Sequence, residues 1–460
     1  MLKKRGGETV KSKDTLYWIW LSEALGAGSS AFRRLISLYD TPFDIFRTEE
    51  TELEQVPGLT ERAKRALCDK SLQRATEILD KCEREGIGVL CYDEDAYPRA
   101  LREIQKPPML LYYRGNLPDF NRNLCVGIVG TRSMSAYGMK QAYKMSYELA
   151  SAGAFIVSGM AKGIDGVAAA ATLKANGTTV AVLGCGVDIP YPTHHRNLYQ
   201  AIAQSGVVLS EFAPGTRPVG YHFPLRNRII SGLSQATVVV EAGIGSGSLI
   251  TAKEAILQGR DVFAIPANVG SKGADGTNGL LRDGARMALA AEDILTSYQY
   301  TYAESLTLEK YEASKSLESI DLSHLASLGV IELSGGASGE TKMNLAPATP
   351  EPKEKKPTQR RTASSKQKES QKPLATEPKT EGEEYKSAPP APQRAIPAAT
   401  LATLTPAQKA ILEAIPDDGT LSADAIYALE APRADLMAAL TMLEIMGLVQ
   451  KLPGSLYKKA

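Results

Sequence analysis

Between Asn123 and about Leu295 the chain repeats one pattern: a short apolar run, a glycine-containing turn, then a stretch with helical periodicity. The apolar runs are LCVGIVG, AFIVSG, TVAVLGCG, VVLSEF, ATVVVEAG and DVFAIPA. Between them lie MKQAYKMSYELASAG, DGVAAAATLKANG and SLITAKEAILQG, whose apolar residues recur at helical spacing. Runs that are apolar throughout suit strands covered on both faces, and helical crossovers between them keep those strands parallel. Six such runs predict one doubly wound α/β domain with a mostly parallel sheet over residues 116–298.

The flanks read differently. Residues 1–115 are patterned mainly as helices, with a short strand at Val89–Tyr92. Within them ELEQVPGLTERAKRAL predicts a helix, a tight turn at Pro57-Gly58 and a second helix, half of a helix-hairpin-helix in which Thr60 stands where a second glycine is usual. Residues 299–400 read as a linker. From about 335 it is rich in Pro, Lys, Glu, Ser and Thr and too poor in large apolar residues to offset the entropy of ordering. In residues 401–460 a pattern returns, with helices predicted at Pro406–Ala414, Ser422–Ala428 and Pro432–Met446 and a hairpin turning at Pro453-Gly454. Helices followed by a hairpin make a winged-helix domain. It carries five basic against seven acidic residues, and its third helix is apolar and mildly acidic. A reader of the major groove needs donors there, so a protein-contact or accessory role is expected.

The 460 residues carry a net charge of +1, so any nucleic-acid site must be a local concentration of Lys and Arg. The five cysteines include no C-x-x-C pair and the four histidines are scattered, which predicts reduced thiols and no metal centre. No apolar stretch approaches a membrane span, and the basic start lacks the core of a signal peptide. A cytoplasmic protein with no membrane association is expected.

Candidate chemistry lies in the turns. GIVGTRSMSAYG places Arg132 where a strand gives way to a helix, either as a phosphate contact or as a solvated residue of a structural turn. Its spacing is not that of a dinucleotide fingerprint. SGMAKGIDG offers Lys162 and close backbone approach, with Asp165 as a candidate helix cap. HFPLRNRIISGLS groups Phe223, Arg226, Asn227 and Arg228. Guanidinium groups beside an aromatic ring suit single-stranded nucleic acid, and equally suit an ion-pair network at an interface. EAGIGSGSLITAKEA offers backbone N–H groups from Gly245 to Ser248, and GADGTNGLLRDGA offers Thr277, Asn278 and Arg282. No nucleophile–base arrangement stands out, so no catalytic residue and no cofactor is expected.

Taken in order, GIVGTRSMSAYG, SGMAKGID, AVLGCGVDIPYP, LSEFAPGTRP, FPLRNRIISGLS, VVVEA, SGSLITA, GRDVFAIP, GTN and LLRDGA resemble the DprA/Smf family of DNA-processing proteins. The resemblance implies a Rossmann-like domain that binds single-stranded DNA, forms a homodimer and helps load the RecA recombinase during natural transformation, without enzymatic activity. The DNA contacts it implies fall on Arg132, Ser158, Gly159, Lys162, Phe223, Arg226, Asn227, Arg228, Gly247, Ser248 and Asn278. The chain departs from the family pattern at Thr131, where Ser is frequent, at Lys162, where Arg is frequent, and at Thr178, where many members carry Lys; the small residues of VAAAAT replace a frequent His. A competing expectation is a nucleotide-binding protein or a phosphoribohydrolase-like enzyme on the same fold, with Glu241 or Glu254 as its carboxylate.

Overall fold

All six apolar runs form strands, and three further strands extend them into a nine-stranded sheet. The computed structural model describes residues 6–334 except 272, 317 and 318, then 342–344, and parts of 404–459. The chain divides into two units, residues 1–356 and 357–460.

The first unit opens with helices α1 (Gly6–Leu25), α2 (Phe32–Leu38), α3 (Pro42–Arg47), α4 (Glu50–Gln55), α5 (Glu61–Cys68) and α6 (Gln73–Glu85). Thr41 caps α3 in a reciprocal capping box with Asp44, and Thr60 accepts the N–H of Ala63 to cap α5. Thr60 thus serves α5 as its cap at the position where a helix-hairpin-helix usually has glycine. Strands β1 (Gly88–Cys91) and β2 (Leu110–Gly115), with α7 (Arg99–Glu103) between them, carry the chain into the sheet. β1 matches the short strand expected at Val89–Tyr92, whereas β2 comes from a stretch for which no strand was expected. The run LLYYRG of β2 follows two prolines, and its burial fades from Leu110 to Gly115 without alternation, so it gives no period-2 signal.

The central domain then alternates β3 (Cys125–Val129), α8 (Ala136–Ser151), β4 (Phe155–Ser158), α9 (Ile164–Lys174), β5 (Thr179–Val182), α10 (Arg196–Ser205), β6 (Val207–Ser210), α11 (His222–Leu233), β7 (Ala236–Val239), α12 (Gly247–Leu257), β8 (Asp261–Ala264), α13 (Asp275–Arg282), β9 (Arg286–Met287) and α14 (Glu292–Tyr298). The sheet order is β1-β2-β6-β5-β4-β3-β7-β8-β9. Strands β3 to β9 pair in parallel, while β2 runs antiparallel to β6 and β1 antiparallel to β2. Side chains alternate between two cores, as the pleat requires. Val126, Ile128 and Ile156 face one core with residues of α8, α9 and α10, whereas Val129, Val157 and Val182 face the other with α11 and α12.

Part of the expected linker is ordered structure. Helices α15 (Leu308–Ser314) and α16 (Leu322–Ser327) return to the central domain, where Lys174 Nζ meets Asp321 Oδ2 at 2.7 Å and the His324 ring meets the carbonyl of Ala170 at 3.1 Å. Lys174, one turn from Thr178, is therefore already paired. In the second unit a helix spans Pro406–Ala414, capped by Thr405 and Gln408 in a capping box. Strands Val449–Leu452 and Leu456–Lys459 pair antiparallel, and Leu421–Ser422 pairs with the latter, where a helix start was expected at Ser422. The third predicted helix and the Pro453-Gly454 turn lie largely or wholly outside the described residues. Among the described residues no helix is long and apolar enough to cross a membrane.

Candidate functional site

The parallel strands open their C-terminal ends on one rim. From β3 the chain proceeds outward through β4, β5 and β6, then returns to β7 on the other side of β3. Loops leaving β3 and β7 therefore diverge, and a crevice forms at this reversal of strand order. A cavity of about 410 Å³ occupies it, walled by the loops after β3, β4 and β7 and by the start of α11. Of the residues expected to bind, Arg132, Phe223, Arg226, Asn227, Gly247 and Ser248 line it.

Close backbone approach builds the rim. Gly163 has φ +85°, and a Cβ there would run into the carbonyl oxygen of Thr131. This lets the loop before α9 lie against the loop after β3, where the N–H of Ile164 donates to Thr131 O at 3.2 Å. At Gly159 a Cβ would stand 2.6 Å from Arg226 Nη2, so the glycine makes room for that guanidinium.

Arg226 is held from several sides. Its side chain is 5% exposed; Nη1 donates to Gly159 O at 3.0 Å and also to Val182 O, and Nε donates to Asn227 Oδ1 at 3.3 Å. Burial pushes its pKa down to about 10, with the Asp165 carboxylate opposing the shift, so the group stays charged at neutral pH. Asp165 caps the loop rather than its helix: Oδ2 accepts the N–H of Gly159 at 2.9 Å. Burial raises the Asp165 pKa, and Arg226 opposes that rise. Arg226 thus lines the cavity as a fixed charge clamped to the ends of β4 and β5.

Arg132 is the counterpart, an exposed side chain whose guanidinium carbon lies 5.6 Å from the centre of the Phe223 ring. That ring stacks on Tyr191 at 5.4 Å and 25°. It rests on Gly184, where a Cβ would come within 2.9 Å of Phe223 Cδ1. The turn LGCGVDIPYP therefore seats the aromatic ring, a role that the sequence does not signal. On the far wall Ser246 caps α12, and its Oγ bonds the Ser248 hydroxyl at 2.8 Å. Asn227 Nδ2 donates to Gly247 O at 3.3 Å and ties the two helix starts together. The positive end of α12 faces the cavity through Ser246, Gly247 and Ser248.

Five expected contacts lie elsewhere. Arg228, two positions beyond Arg226 and so on the other side of α11, is buried and ion-paired with Glu211, whose Oε1 also accepts the N–H of Gly28 at 3.0 Å. Ser158 is fully buried, with its Oγ accepting the N–H of Met160 at 3.3 Å. Gly159 is buried, with its N–H on Asp165 and its carbonyl on Arg226. Asn278 clips the loop after β8: Nδ2 donates to Ala267 O at 2.9 Å and Oδ1 accepts its N–H at 3.2 Å. Lys162 is half-buried, one residue beyond the lining residue Ala161; burial lowers the pKa values of His194 and His195, and the Lys162 charge adds to the fall. The turns containing Ser158, Gly159 and Asn278 need these residues for their own shape, which explains their place in the motifs without a ligand.

The carboxylates weighed for catalysis are absent from the crevice lining. Glu241 accepts the N–H of Ser135 at 2.9 Å and its hydroxyl at 3.2 Å, holding the start of α8. Glu254 lines a second, smaller cavity.

Comparison with known proteins agrees with this architecture. Residues 88–299 match the family model described as DNA recombination-mediator protein A, and residues 395–455 match the DprA winged helix domain. Protein Smf of Synechocystis is 34% identical over 353 residues, covering 75% of this chain and 87% of that protein. DNA processing protein DprA of Streptococcus pneumoniae is 42% identical over 207 residues, covering 45% of this chain and 73% of that protein. The X-ray structure of DprA from S. pneumoniae superposes with a TM-score of 0.55 at 35% identity, covering 61% of this chain and 97% of that one. With similarity reaching across most of both sequences, the chain belongs to the DprA/Smf family of DNA-processing proteins.

Proposed function

We propose that this protein binds single-stranded DNA in the rim cavity, acts as a homodimer through its Rossmann-like domain, and helps load RecA onto DNA in the cytoplasm during transformation and recombination. The observation that carries the reading is the convergence of an exposed guanidinium, an aromatic stack, a buried guanidinium and a helix N-terminus on one crevice. Cations and oriented N–H groups suit a sugar–phosphate chain, and a ring with a guanidinium plane beside it suits unpaired bases. RecA loading and dimerisation are supported by family membership. A binding rather than catalytic role is supported by the engagement of Glu241 with Ser135 and by the position of Glu254 outside the crevice.

The test is a titration of single- and double-stranded oligonucleotides at about 50 and 200 mM salt. Single strands should bind tighter, and affinity should fall as salt rises. Arg132→Ala should weaken binding roughly tenfold and flatten the salt slope by about 0.7, the value for one phosphate contact on a single strand. Unchanged affinity and slope in that variant would remove the site from consideration.

A further inference from the structure

The crevice is small for a polymer. At about 410 Å³ it lies near the low end of pockets that enclose one drug-sized ligand, about one nucleotide. A bound strand must therefore cross the rim. At the start of α11 the rim is formed by the loop from β6, which carries exposed Arg217, Val219 and Tyr221 and reaches the crevice lining at Gly220 and Phe223.

The backbone of this loop is fixed while its side chains stay uncovered. Thr216 O accepts the N–H of Gly186 at 2.9 Å, and the N–H of His222 closes a turn on Val219 O at 3.0 Å. Tyr221 sits inside that turn with its ring 72% exposed and its hydroxyl without a hydrogen-bond partner among the described residues. Tyr137, the exposed aromatic on α8, ties its hydroxyl to Pro266 O at 2.8 Å instead. The Tyr221 ring meets His222 at 4.5 Å and 75°, and the His222 ring stacks on Phe212 at 4.0 Å and 26°. His222 Nδ1 lies 3.2 Å from the carbonyl of Gly184, the residue that also seats Phe223. One support thus sets Phe223 inside the crevice and Tyr221 just outside it.

Charge favours the same exit. Arg217 has no ion pair among the described residues. No acidic residue occurs between Glu211 and Glu241, and Glu211 is buried against Arg228. A lone exposed ring is ordinary on a protein surface. A ring held by its backbone, beside an unpaired guanidinium and at the mouth of a crevice lined by Phe223 and two further guanidinium groups, continues the surface of that crevice. Residues two apart have Cα atoms within about 7 Å of one another, about two steps of a strand at roughly 3.4 Å each.

We propose that Tyr221 is a stacking platform for a base of the bound strand just outside the crevice, and that Arg217 pairs with a phosphate beside it. This inference rests on single-stranded DNA binding at the crevice. Stacking uses the ring face, which every base can meet, so the contact adds affinity without sequence preference.

The experiment titrates the full-length protein with oligo-dT at two salt levels. Tyr221→Ala should weaken binding roughly tenfold, within the range of one stacked base, and leave the salt slope as it was. Tyr221→Phe should bind as the parent does. Arg217→Ala should flatten the slope by about 0.7, and an unchanged slope overturns the phosphate contact. Tyr221→Trp should show emission that oligo-dT quenches, against a steady background from Trp18 and Trp20, which are 1% and 4% exposed within α1. Unchanged affinity in Tyr221→Ala or an unquenched signal in Tyr221→Trp, with binding still dependent on Arg132, overturns the platform and leaves the crevice reading standing. A loss shared by Tyr221→Phe assigns the contact to the hydroxyl and also overturns the platform. Failure of the parent to bind the strand overturns both readings.

Discussion

The loop after β3 and the first turns of α11 bring guanidinium groups to the same part of the molecule and treat them in opposite ways. Arg132 stands in solvent over an aromatic ring, while Arg226 and Arg228 are each 5% exposed and held by carbonyls or a carboxylate. The cause is position. A strand-to-helix turn at the crevice has water on one side, whereas α11 is packed against the sheet, α12 and α7. A surface charge borders the space a ligand would occupy, and its contacts contribute little to folding. A buried charge belongs to the scaffold, and removing its partner strands it.

The largest effect should therefore come from breaking the inward pair. Arg228→Met leaves Glu211 buried without its cation and should lower unfolding stability by about 3–5 kcal/mol. Arg132→Ala should stay within about 0.5 kcal/mol of the parent, as surface substitutions do. Urea denaturation midpoints measure both. Equal losses would erase the distinction between the two regions. Adding Glu211→Leu to Arg228→Met should recover part of the loss but not all, because the N–H of Gly28 also relies on Glu211.

This contrast also marks what the sequence could tell. The six central strands are legible because each is an apolar run closed by glycine, a signal set by burial on both faces and independent of distant contacts. The positions of Arg132, Phe223, Asn227, Gly247 and Ser248 at the crevice follow from the rule that such loops meet at one rim. The roles of Arg226 and Arg228 are less visible. R-N-R at a helix start reads the same whether its charges meet phosphate, carbonyls or a carboxylate. What decides between these is the tertiary placement of Gly159 and Val182, which lie far away in sequence, and of Glu211 just after β6. The seat that Gly184 provides for Phe223 escapes notice for the same reason, whereas Asp165, expected as a helix cap, lies in the same motif and turns back to the Gly159 N–H.

A second inward group sharpens the comparison through pH. His195 is fully buried beside the crevice loops, with Nδ1 3.1 Å from the carbonyl of Met160, and burial lowers its pKa to about 4. In the unfolded chain the imidazole titrates near 6.5. Between those values the unfolded state binds more protons, so stability is full above about pH 6.5 and falls as pH drops toward 4, by about 3 kcal/mol for this group. Denaturation midpoints across that window should show the fall, and His195→Gln should flatten it. A parent and variant with the same slope would show that the buried imidazole does not control it.

The smallest effect tests whether a residue that resemblance assigns to DNA is in truth part of the frame. Asn278 meets Ala267 through two hydrogen bonds and does not line the crevice, so its side chain fixes the loop after β8. Asn278→Ala should reduce stability by about 1–2 kcal/mol, the net worth of two such bonds. Its effect on single-strand affinity should be well below the tenfold expected for Arg132→Ala, because the loop it holds lies apart from the cavity walls. The salt slope separates the two cases most cleanly. A residue touching phosphate lowers the slope when removed, whereas a residue that shapes a distant loop leaves it unchanged even if affinity drifts. A shallower slope in Asn278→Ala would therefore move this residue from the scaffold to the ligand side and would require the bound strand to run past α13 as well as α11 and α12.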